Sequence, residues 1–283
     1  MTEAKRAAWP RRQYVDGPFG QIHFQVHGDG APLVMIHQAP AHSGQFDNAY
    51  EPLAARGFMA IGIDMPGFGG SDPTPHTPYA TDYAQIVLPV LDALGIEKTA
   101  LLGHHTGTIA ANEAAIAHPD RITALILNGP LLVTEEDRTN FLKTLHPWEK
   151  NYAAREHAGH MVELFDIRDR LAHGEVAPAR LSDYVIHALT GRGEFWYGHH
   201  AAYMYELASR LPLITQPTLI LTNTGDSIYP HALEVHRMRP DFAFACLEGG
   251  GVDIVDQQTE AWADIVAGFL NAAARKVAEA QDA

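Results

Sequence analysis

The stretch TALLGHHTGTIAANEAA, Thr99 to Ala115, decides how this chain is read. It opens as an apolar run suited to a buried strand. It then meets Gly103-His104-His105-Thr106-Gly107 and continues as an alanine-rich helical pattern stopped by His118-Pro119. The pattern predicts a strand, a sharp turn and a helix. Glycines on both flanks of the turn let strand and helix approach closely. The central residue, His105, is then lifted above the end of the strand. Histidine is among the residues enriched at positive φ, so the turn tolerates it.

Outward from this unit, apolar strand-like runs recur between helical patterns. GQIHFQVHG (20–28) alternates, and PLVMIH (32–37), MAIGID (59–64) and ITALILNGP (122–130) are near-continuous. EPLAARGF (51–58) reads as a helix ended by Gly57. DYAQIVLPVLDALGI (82–96) reads as an amphipathic helix, kinked at Pro89 and stopped at Gly95. Such alternation implies a mostly parallel sheet with helices on both faces. The rhythm breaks after Leu132. Residues 133–212 carry acidic and aromatic helical patterns without a core strand, and then PTLILTNTGD (217–226), FAFACLEGG (242–250) and a final helix from Thr259 restore it. One core domain, 1–132 and 213–283, with a helical cap inserted at 133–212, follows.

Composition narrows the function classes. The chain has 283 residues, 46% hydrophobic and 19% charged, enough for a large core. Its net charge is -14, from 34 acidic and 20 basic residues, and that field repels phosphate, so neither nucleic acid nor an anionic membrane is an expected partner. Lys5, Arg6, Arg11 and Arg12 read as a solvated tail. Cys246 is the single cysteine and reads as a small core residue in a buried strand, so no internal disulfide is possible. Neither a secretory leader nor a membrane span is recognised, which makes the cytoplasm the expected location. The sequence leaves a homodimer open.

Four segments, in order, carry a resemblance to the α/β-hydrolase superfamily: HQAP (37–40), DMPGFGGSD (64–72), GHHTG (103–107) and TNTGDSIYP (222–230). The resemblance runs from about Gln13 to Leu270 and implies an α/β-hydrolase fold. In that family GHHTG stands at the nucleophile turn, with His105 in place of serine, and Asp226 stands at the triad acid. The segment that carries the triad base reads Gly250-Gly251-Val252-Asp253-Ile254-Val255-Asp256, so Val252 falls at the histidine. Serine needs an adjacent base to attack. With both members replaced, an acyl-serine route has no nucleophile at the turn.

The resemblance then implies a different pairing. A ring on the turn reaches toward the triad acid, so His105 becomes a general base oriented by Asp226, and Val252 leaves it room. The expected oxyanion donors are the backbone amides of Ala39 and Thr106. His37 stands where the family braces the oxyanion loop, Gln38 replaces a usual glycine, and His104 stands at a position often histidine. These three, with Trp196, Tyr197 and Val252, are expected around the pocket; GEFWYGHHAAYMYE (193–206) supplies its aromatic side. None of the 17 histidines has the spacing of a zinc hydrolase, and no phosphate or dinucleotide loop appears. No cofactor and no metal are therefore expected, the best metal alternative joining His37 or His42 to His105 and Asp226.

Two function classes remain open. One is an enzyme acting on a small, apolar or aromatic carbonyl compound by hydrolysis, carbon–carbon cleavage or proton abstraction. The other is a silent relative that binds a small ligand.

Overall fold

The computed structural model describes residues 10–281. In chain order it runs β1 (Arg11–Gly17), β2 (Gly20–His27), β3 (Ala31–Ile36), α1 (Tyr50–Ala55), β4 (Phe58–Ile63), α2 (Ala80–Ala84), α3 (Val87–Ala93), β5 (Thr99–His104), α4 (Gly107–Ala117) and β6 (Ile122–Asn128). Six helices follow before the next strand: α5 (Glu135–Lys143), α6 (Leu145–Lys150), α7 (Gly159–Leu171), α8 (Pro178–Leu189), α9 (Tyr197–Met204) and α10 (Leu207–Arg210). The chain then closes with β7 (Thr218–Asn223), α11 (Tyr229–Met238), β8 (Ala243–Leu247), α12 (Ile254–Gln257) and α13 (Thr259–Gln281).

All eight strands form one sheet, in the order β1-β2-β4-β3-β5-β6-β7-β8. From β4 to β8 every pairing is parallel, while β2 pairs antiparallel with both β1 and β4. The central strands are largely apolar because both faces of the sheet are covered. Successive side chains of a strand point to opposite faces. Leu33 and Met35 of β3 accordingly join a core with Leu102, Ile126 and Trp262, while Val34 and Ile36 join another with Leu101, Leu127 and Ile109.

Three sequence expectations are corrected. Arg11 and Arg12 lie in strand β1, paired with Val26 and Gln25, rather than in a tail; Lys5 and Arg6 lie outside the described residues. An edge strand covered on one side has too little apolar signal to stand out from a polar leader. The 82–96 helix is broken, not kinked: α2 ends at Ala84 and α3 starts at Val87. Pro89 cannot donate to the carbonyl four residues back, at Gln85, and its ring would strike it, so the chain restarts and seats Pro89 in the first turn of α3. Cys246 is exposed on β8, which has only β7 as a neighbour.

The turn after β5 brings backbone against backbone. A Cβ on Gly107 would stand 2.2 Å from the Ile36 carbonyl oxygen, and one on Gly103 would stand 2.4 Å from that of Gly107. Both neighbours are backbone and cannot rotate away. His105 between them takes φ 48°, as the turn requires. Its N–H donates to the Asn128 carbonyl at 2.8 Å, and the Asn128 side chain accepts from the buried Trp262 indole at 2.6 Å. We expect Gly107→Ala to cost about 3 kcal/mol, the upper range for overpacking. The urea midpoint of the variant reads this, and an unchanged midpoint would refute the close-approach argument.

Candidate active site

A cavity of about 380 Å³ opens above the carboxyl ends of β3, β5 and β7. Gln38, Ala39, His105, Thr106, Ser227 and Val252 line it from the sheet side. The helices between β6 and β7 contribute Trp148, Glu149, Arg168, Tyr184, Phe195, His199 and Tyr203.

His105 reaches across the sheet end to Asp226, where its Nε2 stands 2.6 Å from Oδ2. The Asp226 carboxylate also accepts from the Ile228 N–H at 3.1 Å. Burial pushes this carboxyl up, but the His105 ring, by charge and hydrogen bond, and the Ile228 amide together pull it down to about 2. Asp226 is therefore ionised at neutral pH and accepts the Nε2 proton. That leaves Nδ1 as the proton acceptor, and it has no protein partner among the described residues. Gly129 makes room for the ring: with φ 63°, its missing Cβ would stand 2.6 Å from His105 Cδ2. Val252 adds no polar group beside the pair.

The oxyanion loop differs from the expected arrangement. The Ala39 N–H is already used, donating to the Thr106 hydroxyl oxygen. Only the Thr106 amide is without an acceptor among the described residues. The Ala39 amide, spent on that hydroxyl oxygen, is not free to donate into the cavity.

Four expected pocket residues do not line the cavity. His37 is fully buried below it, donating from Nδ1 to the Gln38 carbonyl (2.9 Å) and accepting the Met65 N–H at Nε2 (2.9 Å). Burial lowers His37 to about 4, so it is a neutral brace at pH 7. His104, the last residue of β5, is buried beside the Gln45 amide, its ring behind that of His105 with centroids 4.6 Å apart. Trp196 packs outward among His146, His200 and Tyr197, under the Lys150 ammonium at 4.5 Å, and Tyr197 packs beside it. The aromatic wall comes instead from Phe195, stacked on Tyr152 (4.6 Å), and from Tyr203, stacked on Phe141 (4.1 Å). On α9, residues 199 and 203 share one face by the four-residue helical repeat. That period, applied to 193–206, would have found them.

The buried charges have no signature in the residue pattern. Arg168 on α7 pairs with Asp253, and its Nε has no partner. Arg180 on α8 holds Asp256 at 3.0 Å and the carbonyls of Gly44 and Gln45 at 3.0 and 2.8 Å. Tyr184 donates to Asp256 at 2.8 Å. The His42 ring lies tilted against that of His187, with centroids 3.8 Å apart. Among the described residues no group of three His, Cys, Asp or Glu side chains is placed to hold a metal ion. No helix among them is long and apolar enough to cross a membrane.

The parallel sheet, the glycine-flanked turn and the retained acid after β7 define an α/β-hydrolase fold. The alpha/beta hydrolase fold family matches residues 31–237, and the chain belongs to it. A 2-hydroxy-6-oxononadienedioate/2-hydroxy-6-oxononatrienedioate hydrolase from Cupriavidus pinatubonensis is 29% identical over 75% of this chain and 78% of its own length. Another protein of that name, hydrolase 2 from Pseudomonas putida, is 36% identical over 38% of this chain, which spans only 40% of that relative. Among solved structures, an esterase from Exiguobacterium antarcticum superposes with TM-score 0.80 at 20% identity, covering 92% of this chain and 100% of that one. An enol-lactonase from Burkholderia xenovorans gives 0.72 at 17% identity, with the same two coverages.

The Asp226 pairing sets a pH dependence. A depressed carboxylate stabilises the fold above its unfolded value of 3.8 and loses that contribution as pH falls toward 2. Unfolding free energies of wild type and Asp226→Asn should differ by on the order of 2 kcal/mol at pH 7. The gap should close between pH 4 and 2, as tested by denaturant melts across that range; a gap independent of pH would refute the pairing.

Proposed function

We propose that this chain hydrolyses a small, apolar or aromatic carbonyl compound by general-base chemistry, without a serine nucleophile. The observation that carries this is the His105 Nε2–Asp226 Oδ2 contact of 2.6 Å at the wall of an aromatic-lined cavity. Residues 133–212 act as the cap that closes this cavity over the sheet. Asp226 fixes the tautomer, and His105 Nδ1 takes a proton from water. The water oxygen bonds to the carbonyl carbon, and the resulting oxyanion meets the Thr106 N–H and hydroxyl. The bond to the leaving carbon or oxygen then breaks, and the leaving atom takes the proton back from the ring. The activities for which the relatives are named, among them a 2-hydroxy-6-oxo-6-phenylhexa-2,4-dienoate hydrolase from Comamonas testosteroni, support carbon–carbon hydrolysis of a ketone within this scheme.

One feature favours a second reading. The Ala39 amide is occupied by the Thr106 hydroxyl, and an incomplete oxyanion site suits a protein that binds without turnover.

Small esters, lactones, thioesters and β-diketones, screened against wild type and His105→Ala, separate the two. The enzyme reading expects kcat to fall about a thousandfold in His105→Ala, within the range for a lost general base. Ligand binding without turnover of any compound by wild type would establish the silent binder instead. A phosphonate probe for active serines should leave the protein unlabelled, and stoichiometric labelling at Ser227 would transfer the nucleophile to that residue. Thr106→Val tests the hydroxyl: kcat should fall about a hundredfold, as for loss of one oxyanion donor, with KM little changed.

A further inference from the structure

The cavity has a second carboxylate–imidazole pair, set in its helical wall. Glu149, in α6, is 2% exposed, and its Oε1 holds His199 Nδ1 of α9. The other carboxylate oxygen, Oε2, is buried and has no partner. His199 Nε2 also has no protein partner among the described residues, and both side chains line the cavity. Burial acts to lower His199, and the Arg168 guanidinium lowers it further, but the Glu149 carboxylate outweighs both and raises it. A buried carboxylate oxygen left unpaired costs free energy comparable to a lost charged hydrogen bond. Here the carboxylate belongs to a residue in the wall of the cavity, and its unpaired oxygen lies just behind that surface, within reach of a group that presses into it.

We infer that Glu149 and His199 form a recognition subsite for a hydroxyl group, phenolic or enolic, carried by the ligand away from its carbonyl. The hydroxyl donates to Glu149 Oε2, and its oxygen accepts from His199 Nε2–H. The carboxylate is what selects the group. It repels a ligand carboxylate or phosphate at this position and gains nothing from a methyl or halogen. A hydroxyl supplies the donor it lacks and the acceptor the ring needs. The surrounding wall (Trp148, Phe195, Tyr203) is apolar enough that the pair is desolvated when the cavity fills, which strengthens both bonds. His105 and Asp226 sit on the sheet side, so a ligand with its carbonyl at the turn directs its far end here.

The inference rests on the reading of this cavity as the substrate site. Its test reads binding, so that loss of catalysis and loss of recognition come apart. Dissociation constants of acetophenone and of its ortho-, meta- and para-hydroxy isomers are measured by calorimetry on the full chain. At least one isomer should bind wild type about tenfold more tightly than acetophenone, the gain expected of a hydrogen bond to a charged group. That gain should fall below about threefold in both Glu149→Gln and His199→Gln, with circular dichroism reporting that each is folded. It should persist in His105→Ala. Overturning results are the absence of any isomer preferred over acetophenone in wild type, a gain that survives both wall substitutions, or a gain that vanishes in His105→Ala alone.

Discussion

The hydrogen bond from His105 to Asp226 spans the carboxyl ends of β5 and β7, and the geometry around it is arranged to permit it. The ring stands on a turn that needs two glycines against backbone carbonyls. It lies over a third glycine, Gly129, whose side chain would overlap it. Its N–H is tied to Asn128, which is in turn tied to Trp262 on α13. The position is thus held by the sheet, by the adjacent strand and by the terminal helix together.

The cavity combines two environments. Aromatic and aliphatic side chains form most of its surface, while a few polar atoms remain unpaired at its edge: Gln38 Nε2, Glu149 Oε2 and Arg168 Nε. Native structures leave few buried polar groups without partners, and those that persist ask for an explanation. Here three of them belong to residues that line one cavity, two able to donate and one to accept. An apolar body with a small number of polar contacts is the complement of such a surface.

The fold was legible in the sequence because it rests on periodicity and on glycine. Continuous apolar runs separated by helical patterns admit few arrangements, and Gly103 and Gly107 flag a turn that other residues cannot make. Asp226 was legible for a related reason, since its place after a buried strand is set by the sheet. Features that depend on which way a helix is rotated were not. Trp196 and Tyr197 looked like the aromatic lining, yet one turn of α9 sends Trp196 outward and brings His199 and Tyr203 inward. Strand β1 escaped notice because an edge strand alternates weakly, and Cys246 was misread because an apolar run does not reveal that it lies at an edge. The capture of the Ala39 amide by Thr106 was out of reach. It depends on a rotamer, and residue identity alone does not set that.

Asp253 and Asp256, one and four residues after Val252, clasp Arg168 of α7 and Arg180 of α8. Removing one member of a buried pair costs about 3–5 kcal/mol, because the survivor is left charged and alone. Arg168 also faces the cavity. Changing Asp253 would therefore set free a cation at the cavity wall at the same moment that it loosened the hold on α7. Selectivity and durability are wired to one short segment here, and neither can be tuned without disturbing the other.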